Sequence, residues 1–130
     1  MAIPECQSAL TAVKEGQYTL NTTHRLPSHN PLPPSYVLIR PAAGVVALGS
    51  AVSKWQIGDS VCGFLYGLDP HVGEGEWAGA FAEYVSVPED LVMRVVENKV
   101  SMAEAACLGA GVVTAGGHCG TWAFWRELKN

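Results

Sequence analysis

The sequence predicts a mainly β fold, a partly open barrel of short antiparallel strands with one or two short helices. Two patterns predict it. Short β-branched and apolar runs follow one another, separated by Pro and Gly, and one late segment begins with the signature of a helix. Strands and helices do not alternate along the chain, so a parallel sheet of βαβ units is not expected.

Composition limits the class of protein. The chain has 130 residues, 48% hydrophobic and 15% charged, which suits one compact domain. A formal net charge of -4 with only eight Lys and Arg offers no basic surface for nucleic acid. No apolar run approaches the ~20 residues that cross a bilayer, and Pro4, Glu5 and Gln7 interrupt the region where a signal peptide is apolar. We expect a soluble, cytoplasmic protein that binds neither nucleic acid nor membrane.

The first part of the chain predicts a hairpin and then a connector. Residues 9–20 combine an apolar stretch, a turn at Glu15-Gly16 and a second short strand. Residues 21–35 are rich in Thr, Asn, His and Pro, and the prolines remove amide donors and fix φ. We expect no helix in this connector.

Further strands are expected at five runs bounded mostly by Pro or Gly. One of them alternates with a period of two, which places Phe81, Glu83, Val85 and Val87 on a single face. The five runs are residues 36–40, 44–48, 60–65, 80–87 and 91–96.

Five residues near these strands are interpreted as fold-forming. Gly49 and Gly58 permit turns that exclude a Cβ, and Asp59 can accept backbone donors within its own turn. Phe81 and Tyr84 supply large apolar area. We therefore expect structural roles for all five.

A capping box predicts the helix. Ser101 and Glu104 have its spacing, and the small residues that follow extend the helix through about Thr114. Gly109 and Gly111 superficially resemble a dinucleotide fingerprint, but they follow a capped helix start and not a strand. We interpret these small residues as a surface for close packing.

Cysteine and histidine spacing favours neither a disulfide framework nor a metal site. The cysteines are unequally spaced without a C-x-x-C pair, and no two histidines lie four residues apart. Free buried thiols and no zinc are expected. The residues concerned are Cys6, Cys62, Cys107, Cys119, His24, His29, His71 and His118.

Two other groups of side chains have both a functional and a structural interpretation. The loop at residues 66–77 carries four ionisable groups that suggest an acid/base cluster, but its glycines favour a solvated loop. Trp122 and Trp125 are three residues apart, which suits a ligand-stacking pair or, as favoured here, packing on the domain. The four ionisable groups of the loop are Asp69, His71, Glu74 and Glu76.

Three segments resemble the medium-chain dehydrogenase/reductase superfamily in order and spacing. They are AAGVVALGSAVSKWQIGDSVCGF at residues 42–64, GAFAEYVSVPEDLVMRV at 79–95 and SMAEAACLGAGVVTAG at 101–116. The opening MAIPECQSALTAVKEGQYTL and the phrase PLPPSYVLIR are similar to fungal trans-acting enoyl reductases, zinc-independent members that partner polyketide synthases. The resemblance implies a GroES-like N-terminal domain.

The sequence departs from this family in two places. The family strand equivalent to VLIR continues into an N-P-x-D-W-K motif whose Lys is held to act in catalysis, whereas here Arg40 leads almost directly into Gly44. The Cys that zinc-dependent relatives place nearby has no counterpart either. After the helix the family continues into a Rossmann domain whose Gly-rich turn holds a pyrophosphate. The resemblance thus implies a GroES-like domain at residues 1–117 with an internal deletion near 41–44, a divergent tail at 118–130, and no Rossmann domain.

The resemblance also implies a function. The family reduces an enoyl thioester with NADPH during fungal polyketide biosynthesis, and Thr114 matches the family Thr whose hydroxyl lies beside the nicotinamide. Thr114 is therefore the candidate catalytic and cofactor-binding residue. Without the Lys and the Rossmann domain, we expect no stable NADPH binding and no competent reduction by this chain alone, and we expect no zinc.

The expected partners follow from the same resemblance. They are a polyketide synthase or its enoyl intermediate, and the open strand edges of a shortened barrel invite a homodimer. An alternative function is a non-redox protein that binds a polyketide or its synthase, or cyclises an intermediate.

Overall fold

The computed structural model describes residues 3–27, 31–41, 43–65, 79–96 and 98–118. The strands are β1 (Cys6–Lys14), β2 (Gln17–Arg25), β3 (Tyr36–Arg40), β4 (Gly44–Leu48), β5 (Val61–Gly63), β6 (Val85–Pro88) and β7 (Val92–Arg94). A 3-10 turn, Glu89–Leu91, precedes β7, and helix α1 (Met102–His118) follows it. The sheets are β1-β2, β4-β3-β6 and β5-β7, and every pairing between these strands is antiparallel. The predicted mainly β class is confirmed.

Strand β3 lies at the centre of the core because both of its faces are covered. Val37 and Leu38, adjacent in the strand, are both 0% exposed and belong to separate hydrophobic clusters. Val37 clusters with Val45, Trp55, Val61, Val85, Val87 and Val92, and Leu38 clusters with Leu26, Leu32 and Tyr84. A one-residue shift of β3 would exchange its two faces, so the packing fixes its register.

Strands β1 and β2 form the predicted hairpin, which is longer than expected. Gly16 closes the turn with φ +72°, a conformation that favours glycine. The prediction that residues 21–35 are entirely connector is wrong for 21–25, because Arg25 pairs with Cys6 at the end of the hairpin. Thr suits a strand despite its polarity, and the pairing with β1 outweighs the local composition.

The strand predicted at residues 80–87 is only half present. Strand β6 begins at Val85, and the residues before it run beside β1, where the Glu83 amide donates to the Ser8 carbonyl (3.1 Å). Phe81 is 79% exposed. The prediction that Phe81 and Val85 lie on one face of a single strand is therefore wrong, and the side chain of Phe81 does not contribute the buried apolar area expected of it.

The other predicted strands are confirmed, two of them in shorter form. Strands β3 and β4 have the predicted bounds, whereas β5 and β7 each keep three residues of the runs at 60–65 and 91–96. The 3-10 turn occupies the start of the last run. Helix α1 continues past Thr114 to His118.

Strands β3 and β4 are joined by a tight turn. The Ala43 amide donates to the Arg40 carbonyl (2.9 Å), and Gly44 has φ +84°. A Cβ at Gly44 would lie 2.5 Å from the Asp59 carbonyl oxygen, so the close approach as well as the backbone angle requires glycine. That this turn replaces a longer family segment remains a prediction.

Candidate functional site

Helix α1, which carries Thr114, begins at the predicted capping box. The Ser101 amide and hydroxyl donate to Glu104 Oε2 (2.9 and 2.7 Å), and the Glu104 amide donates to Ser101 Oγ (3.3 Å). These bonds from Ser101 hold the pKa of the Glu104 carboxyl below its usual value. The box therefore satisfies amide groups that a helix start leaves without partners.

Helix α1 packs on β5 through two small residues. Ala105 is 1% exposed, Gly109 is buried, and a Cβ at Gly109 would overlap the Gly63 carbonyl oxygen. A Cβ added at Gly111 would have no neighbouring atom within 4 Å. The predicted close packing is confirmed for Gly109 but not for Gly111.

Thr114 lies on the opposite, exposed side of α1. It lines a shallow open depression with Ala110, Gly111 and Ala115, all of them from the same helix. Within the described residues, no second element contributes to this depression. Hydride transfer requires donor and acceptor held in aligned geometry, which one hydroxyl on an open helix face does not provide.

The glycines near Thr114 do not form a dinucleotide site. Such a site places amide groups of a strand-to-helix turn at the N-terminus of the helix. Gly109 and Gly111 lie instead in the middle of α1, which begins at Met102. The described residues therefore do not fit the nucleotide that the family uses.

The best-connected polar group is the turn that contains Asp59. The Gln56 amide donates to Asp59 Oδ2 (2.8 Å), and Arg94 Nη1 donates to Asp59 Oδ1 (2.5 Å). Arg94 also donates to the Lys54 carbonyl (3.2 Å) and lies over the ring of Trp55, with its Cζ 5.1 Å from the centroid. The predicted structural role of Asp59 is thus supported, but sequence reasoning missed Arg94, which is 35 residues away.

We expect the Asp59 carboxylate to stabilise the fold in a pH-dependent way. The hydrogen bond from Arg94, followed by the bond from the Gln56 amide, lowers the pKa of Asp59 below its usual value. A lowered pKa gives stabilisation that is present above the unfolded-state pKa and lost as the pH falls through the folded-state value. The difference in Tm between the wild type and Asp59→Asn should therefore be constant near neutral pH and shrink below about pH 4.

Thermal unfolding followed by circular dichroism measures this difference. In an Arg94→Ala background, the same Asp59→Asn change should shift Tm by less, because the main partner is gone. A Tm difference that persists undiminished to about pH 2 would contradict the role of the carboxylate.

A second polar group attaches the hairpin to the core. The Tyr84 amide donates to Gln7 Oε1 (2.7 Å), and the Ser8 amide donates to Glu83 Oε2 (2.7 Å). Gln7 is only 3% exposed, and Tyr84 is 6% exposed. The structural role predicted for Tyr84 is confirmed. Gln7 was missed, although a Gln beside an apolar strand segment was the available signal.

The remaining candidates do not form a site within the described residues. No three His, Cys, Asp or Glu side chains come together there as metal ligands. Cys6, Cys62 and Cys107 are free thiols, but Cys6 and Cys107 are exposed, so the expectation of burial is wrong for both. Several candidates lie outside the described residues, namely His29, Asp69, His71, Glu74, Glu76, Cys119, Trp122 and Trp125.

A family model and a solved structure both match the fold described above. Residues 5–97 match the alcohol dehydrogenase GroES-like domain, and the chain belongs to this family. An alcohol dehydrogenase superfamily protein from Novosphingobium aromaticivorans has a similar fold, with a TM-score of 0.61 at 21% identity over 85% of this chain and 40% of that one. In the described part of this chain, no helix has the length and hydropathy to span a membrane.

The curated relatives are named more specifically. Trans-enoyl reductase opdC of Penicillium oxalicum is 33% identical over 88% of this chain and 37% of its own length. Trans-enoyl reductase caaB of Aspergillus niger is 34% identical over 88% of this chain and 31% of its own length. Trans-enoyl reductase apdC of Emericella nidulans is 44% identical over 58% of this chain and 22% of its own length. The chain spans about a third or less of these relatives.

Proposed function

We propose that the chain corresponds to the GroES-like part of a trans-acting enoyl reductase of fungal polyketide biosynthesis, and that it does not reduce a substrate by itself. The names of the relatives support the reaction class. The full reaction is reduction of an enoyl thioester, for which NADPH supplies the hydride. Its partner would be a polyketide synthase or the enoyl intermediate that the synthase carries.

The position of Thr114 is the observation that carries this proposal. The residue that matches the nicotinamide-side Thr of the family lies on the outer face of α1, in a depression to which, among the described residues, that helix alone contributes. A reductase would need a second body facing Thr114 to hold a nucleotide. The relatives are about three times the length over which they match this chain, so they have residues to form such a body.

NADPH binding tests the proposal. Titration calorimetry of the purified chain with NADPH should show no binding in the micromolar range, whereas the Aspergillus niger relative in the same buffer should bind. A chimera in which this chain replaces the matching part of that relative should regain NADPH binding. Micromolar binding by the chain alone would contradict the proposal, and so would a folded chimera that binds no NADPH.

A second candidate is a non-redox protein that binds a polyketide or its synthase, or cyclises an intermediate. The observation in its favour is that the polar groups around Asp59 and Gln7 hold the β framework together although no nucleotide site is present in the described residues. Deletion of the gene followed by metabolite analysis tests this second candidate, because loss of a protein that binds or cyclises an intermediate should change the metabolites produced. An unchanged metabolite profile would count against this second candidate.

Self-association through strand edges is also a proposal. In the described part, β2 pairs only with β1, which leaves its outer edge to a second copy. One donor is already used, because the Thr23 amide donates to Asn21 Oδ1 (3.0 Å). Pairing should therefore use the half of β2 nearer Gln17. Size-exclusion chromatography of the wild type against Leu20→Pro tests it, because Leu20 pairs with Leu10, whose amide donates to the Phe81 carbonyl on the side away from β2, so the Leu20 amide faces the open edge.

A further inference from the structure

Strand β2 directs the backbone groups of two residues toward the open edge of its sheet. Leu20 pairs with Leu10, whose amide donates to the Phe81 carbonyl (2.8 Å) on the side away from β2. The two residues of such an antiparallel pair point their backbone groups away from each other, so the amide and carbonyl of Leu20 lie at the open edge. Tyr18, which pairs with Ala12, has the same direction. A further strand can bond to both.

The regular part of this edge is short. The register between β1 and β2 is continuous over residues 18–21 of β2 and shifts on either side of them. Gly16, with φ +72°, lies in the turn on one side. On the other side the Thr23 amide is already used, because it donates to Asn21 Oδ1 (3.0 Å). A second strand therefore meets a regular edge only over residues 18–21.

This part of β2 lacks the features that usually prevent pairing of an edge strand. Such edges are commonly protected by charged side chains, Pro or bulges. Residues 17–21 are Gln, Tyr, Thr, Leu and Asn, so none is charged and none is Pro. The outer edge of β4, by contrast, is occupied beside Val45, which accepts from the Gly58 amide (2.8 Å) and donates to the Asp59 carbonyl (3.0 Å).

The outward face of the hairpin is apolar as far as the open edge. Leu10 and Leu20 are neighbours on this face because paired residues share a face, and Tyr18 lies two residues from Leu20 on the same strand. Phe81 lies opposite Leu10 on the other side of β1. Leu10, Leu20, Tyr18 and Phe81 are 46%, 66%, 67% and 79% exposed.

The hydrogen-bonding groups of this edge are complementary to a second copy of the same edge. Antiparallel pairing of β2 with β2 of another copy, about a two-fold axis at Thr19, places Tyr18 opposite Leu20 twice. Each of these pairs exchanges two backbone hydrogen bonds and joins an aromatic to an apolar side chain. An axis at Leu20 would set Tyr18 against the irregular part of β2, and an axis at Tyr18 would set Leu20 against Gly16 in the turn.

The charges of the hairpin also suit an antiparallel pair of copies. Residues 5–25 carry two acidic and two basic side chains, so the hairpin has no formal net charge although the whole chain has -4. Glu15 lies at the turn, and Arg25 lies at the far end of β2. Antiparallel pairing brings Glu15 of one copy toward Arg25 of the other and keeps like charges apart.

We propose that two copies of the chain join through β2, in the antiparallel register centred on Thr19. The sheet of each hairpin then continues into the other copy, and the apolar outward faces of both lie on the same side of the joined sheet. The inference rests on the self-association proposed above, and it adds the register and the residues that meet.

Disulfide formation at two matched positions tests the register. Thr19→Cys and Gln17→Cys each place one thiol on an exposed position of β2, in a full-length chain carrying Cys6→Ser, Cys107→Ser and Cys119→Ser. In the proposed register Thr19 faces Thr19 of the other copy in a non-hydrogen-bonded pair, with the two Cα atoms about 4.5 Å apart, a distance that a disulfide can bridge. The two Gln17 Cα atoms are about 14 Å apart, which is too far.

We expect oxidation by glutathione disulfide to link position 19 at least about tenfold faster than position 17. Non-reducing electrophoresis follows the rate, and peptide mass spectrometry identifies the bond. A disulfide that joins two peptides containing position 19 necessarily connects two copies, because each chain has one such thiol.

Side-chain variants test the contribution of the apolar pairs. Tyr18→Thr with Leu20→Thr keeps β-favouring residues but removes both Tyr–Leu pairs, and it should raise the Kd of the dimer about tenfold in sedimentation equilibrium. Val13→Thr removes an exposed apolar side chain from β1, away from the open edge, and should leave the Kd unchanged. Circular dichroism checks that each variant keeps its fold.

Three results would overturn the inference. The first is a dimer in which positions 17 and 19 are linked at equal rates, which would leave self-association standing without this register. The second is a dimer whose Kd does not respond to the loss of Tyr18 and Leu20. The third is a monomer at every protein concentration tested, which would remove the self-association as well. None of these results depends on NADPH, so the enoyl reductase proposal is tested separately.

Discussion

Gly49→Ala should destabilise the fold by about 3 kcal/mol or more, a large share of the stability of a small domain. Gly49 directly follows β4, and a Cβ there would overlap the carbonyl oxygens of both Pro33 and Pro34. Neither carbonyl can retreat easily, because the Tyr36 amide donates to Pro33 (3.0 Å) and the Ala51 amide donates to Pro34 (2.9 Å). Urea unfolding followed by circular dichroism measures the loss.

The neighbouring position provides the control. Ser50 is exposed, so Ser50→Ala should change the unfolding free energy by no more than about 0.5 kcal/mol. If Gly49→Ala unfolds at the same urea concentration as the wild type, the contact between β4 and the proline segment is not as close as described.

The sequence predicted those parts of the fold that local chemistry determines. The hairpin turn depends on Gly16, whose φ of +72° suits glycine, and β3 is bounded by prolines. The start of α1 depends on Ser101 and Glu104, three residues apart. In each case the deciding interaction lies within a few residues, so it can be recognised without knowing the fold.

The predictions that failed depend on partners distant in sequence. Residues 80–87 alternate like a strand, but Glu83 is bonded to Ser8, 75 residues earlier, and this contact directs the chain beside β1. The polar residues 21–25 become strand because β1 is available to pair with them. Strand formation depends strongly on such context, which a local pattern does not contain.

The candidate site likewise combines a feature that local sequence determines with one that depends on distant contacts. The capping box and the small residues after it predicted a helix that includes Thr114, and the structure has Thr114 in α1. Which face of α1 packs could not be predicted, because the helix is apolar all round and has no clear polar side. The choice is made by Gly109, the residue that permits close approach to β5. Consequently, the exposure of Thr114 becomes apparent only when the backbone contacts are known.

Gly109→Ala should separate α1 from β5 and destabilise the fold by about 2–3 kcal/mol. A Cβ at Gly109 would overlap the Gly63 carbonyl oxygen. Strand β5 cannot move away, because a Cβ at Gly63 would itself overlap the Leu91 carbonyl oxygen on the other side. Three backbone segments are thus stacked with no space for a methyl group, and the helix is the element that must move.

Gly111→Ala in the same helix is the matched control, and it should have the opposite sign. It makes the same chemical change, but its Cβ meets nothing within 4 Å, so it should stabilise the helix by about 0.5–1 kcal/mol. Urea unfolding of the two variants compares them directly, and hydrogen exchange of the α1 amides shows whether the helix has separated. If both substitutions stabilise the chain equally, α1 does not pack on β5 through Gly109. The orientation assigned to Thr114 would then be wrong as well, because Gly109 fixes which side of α1 faces away from the sheet.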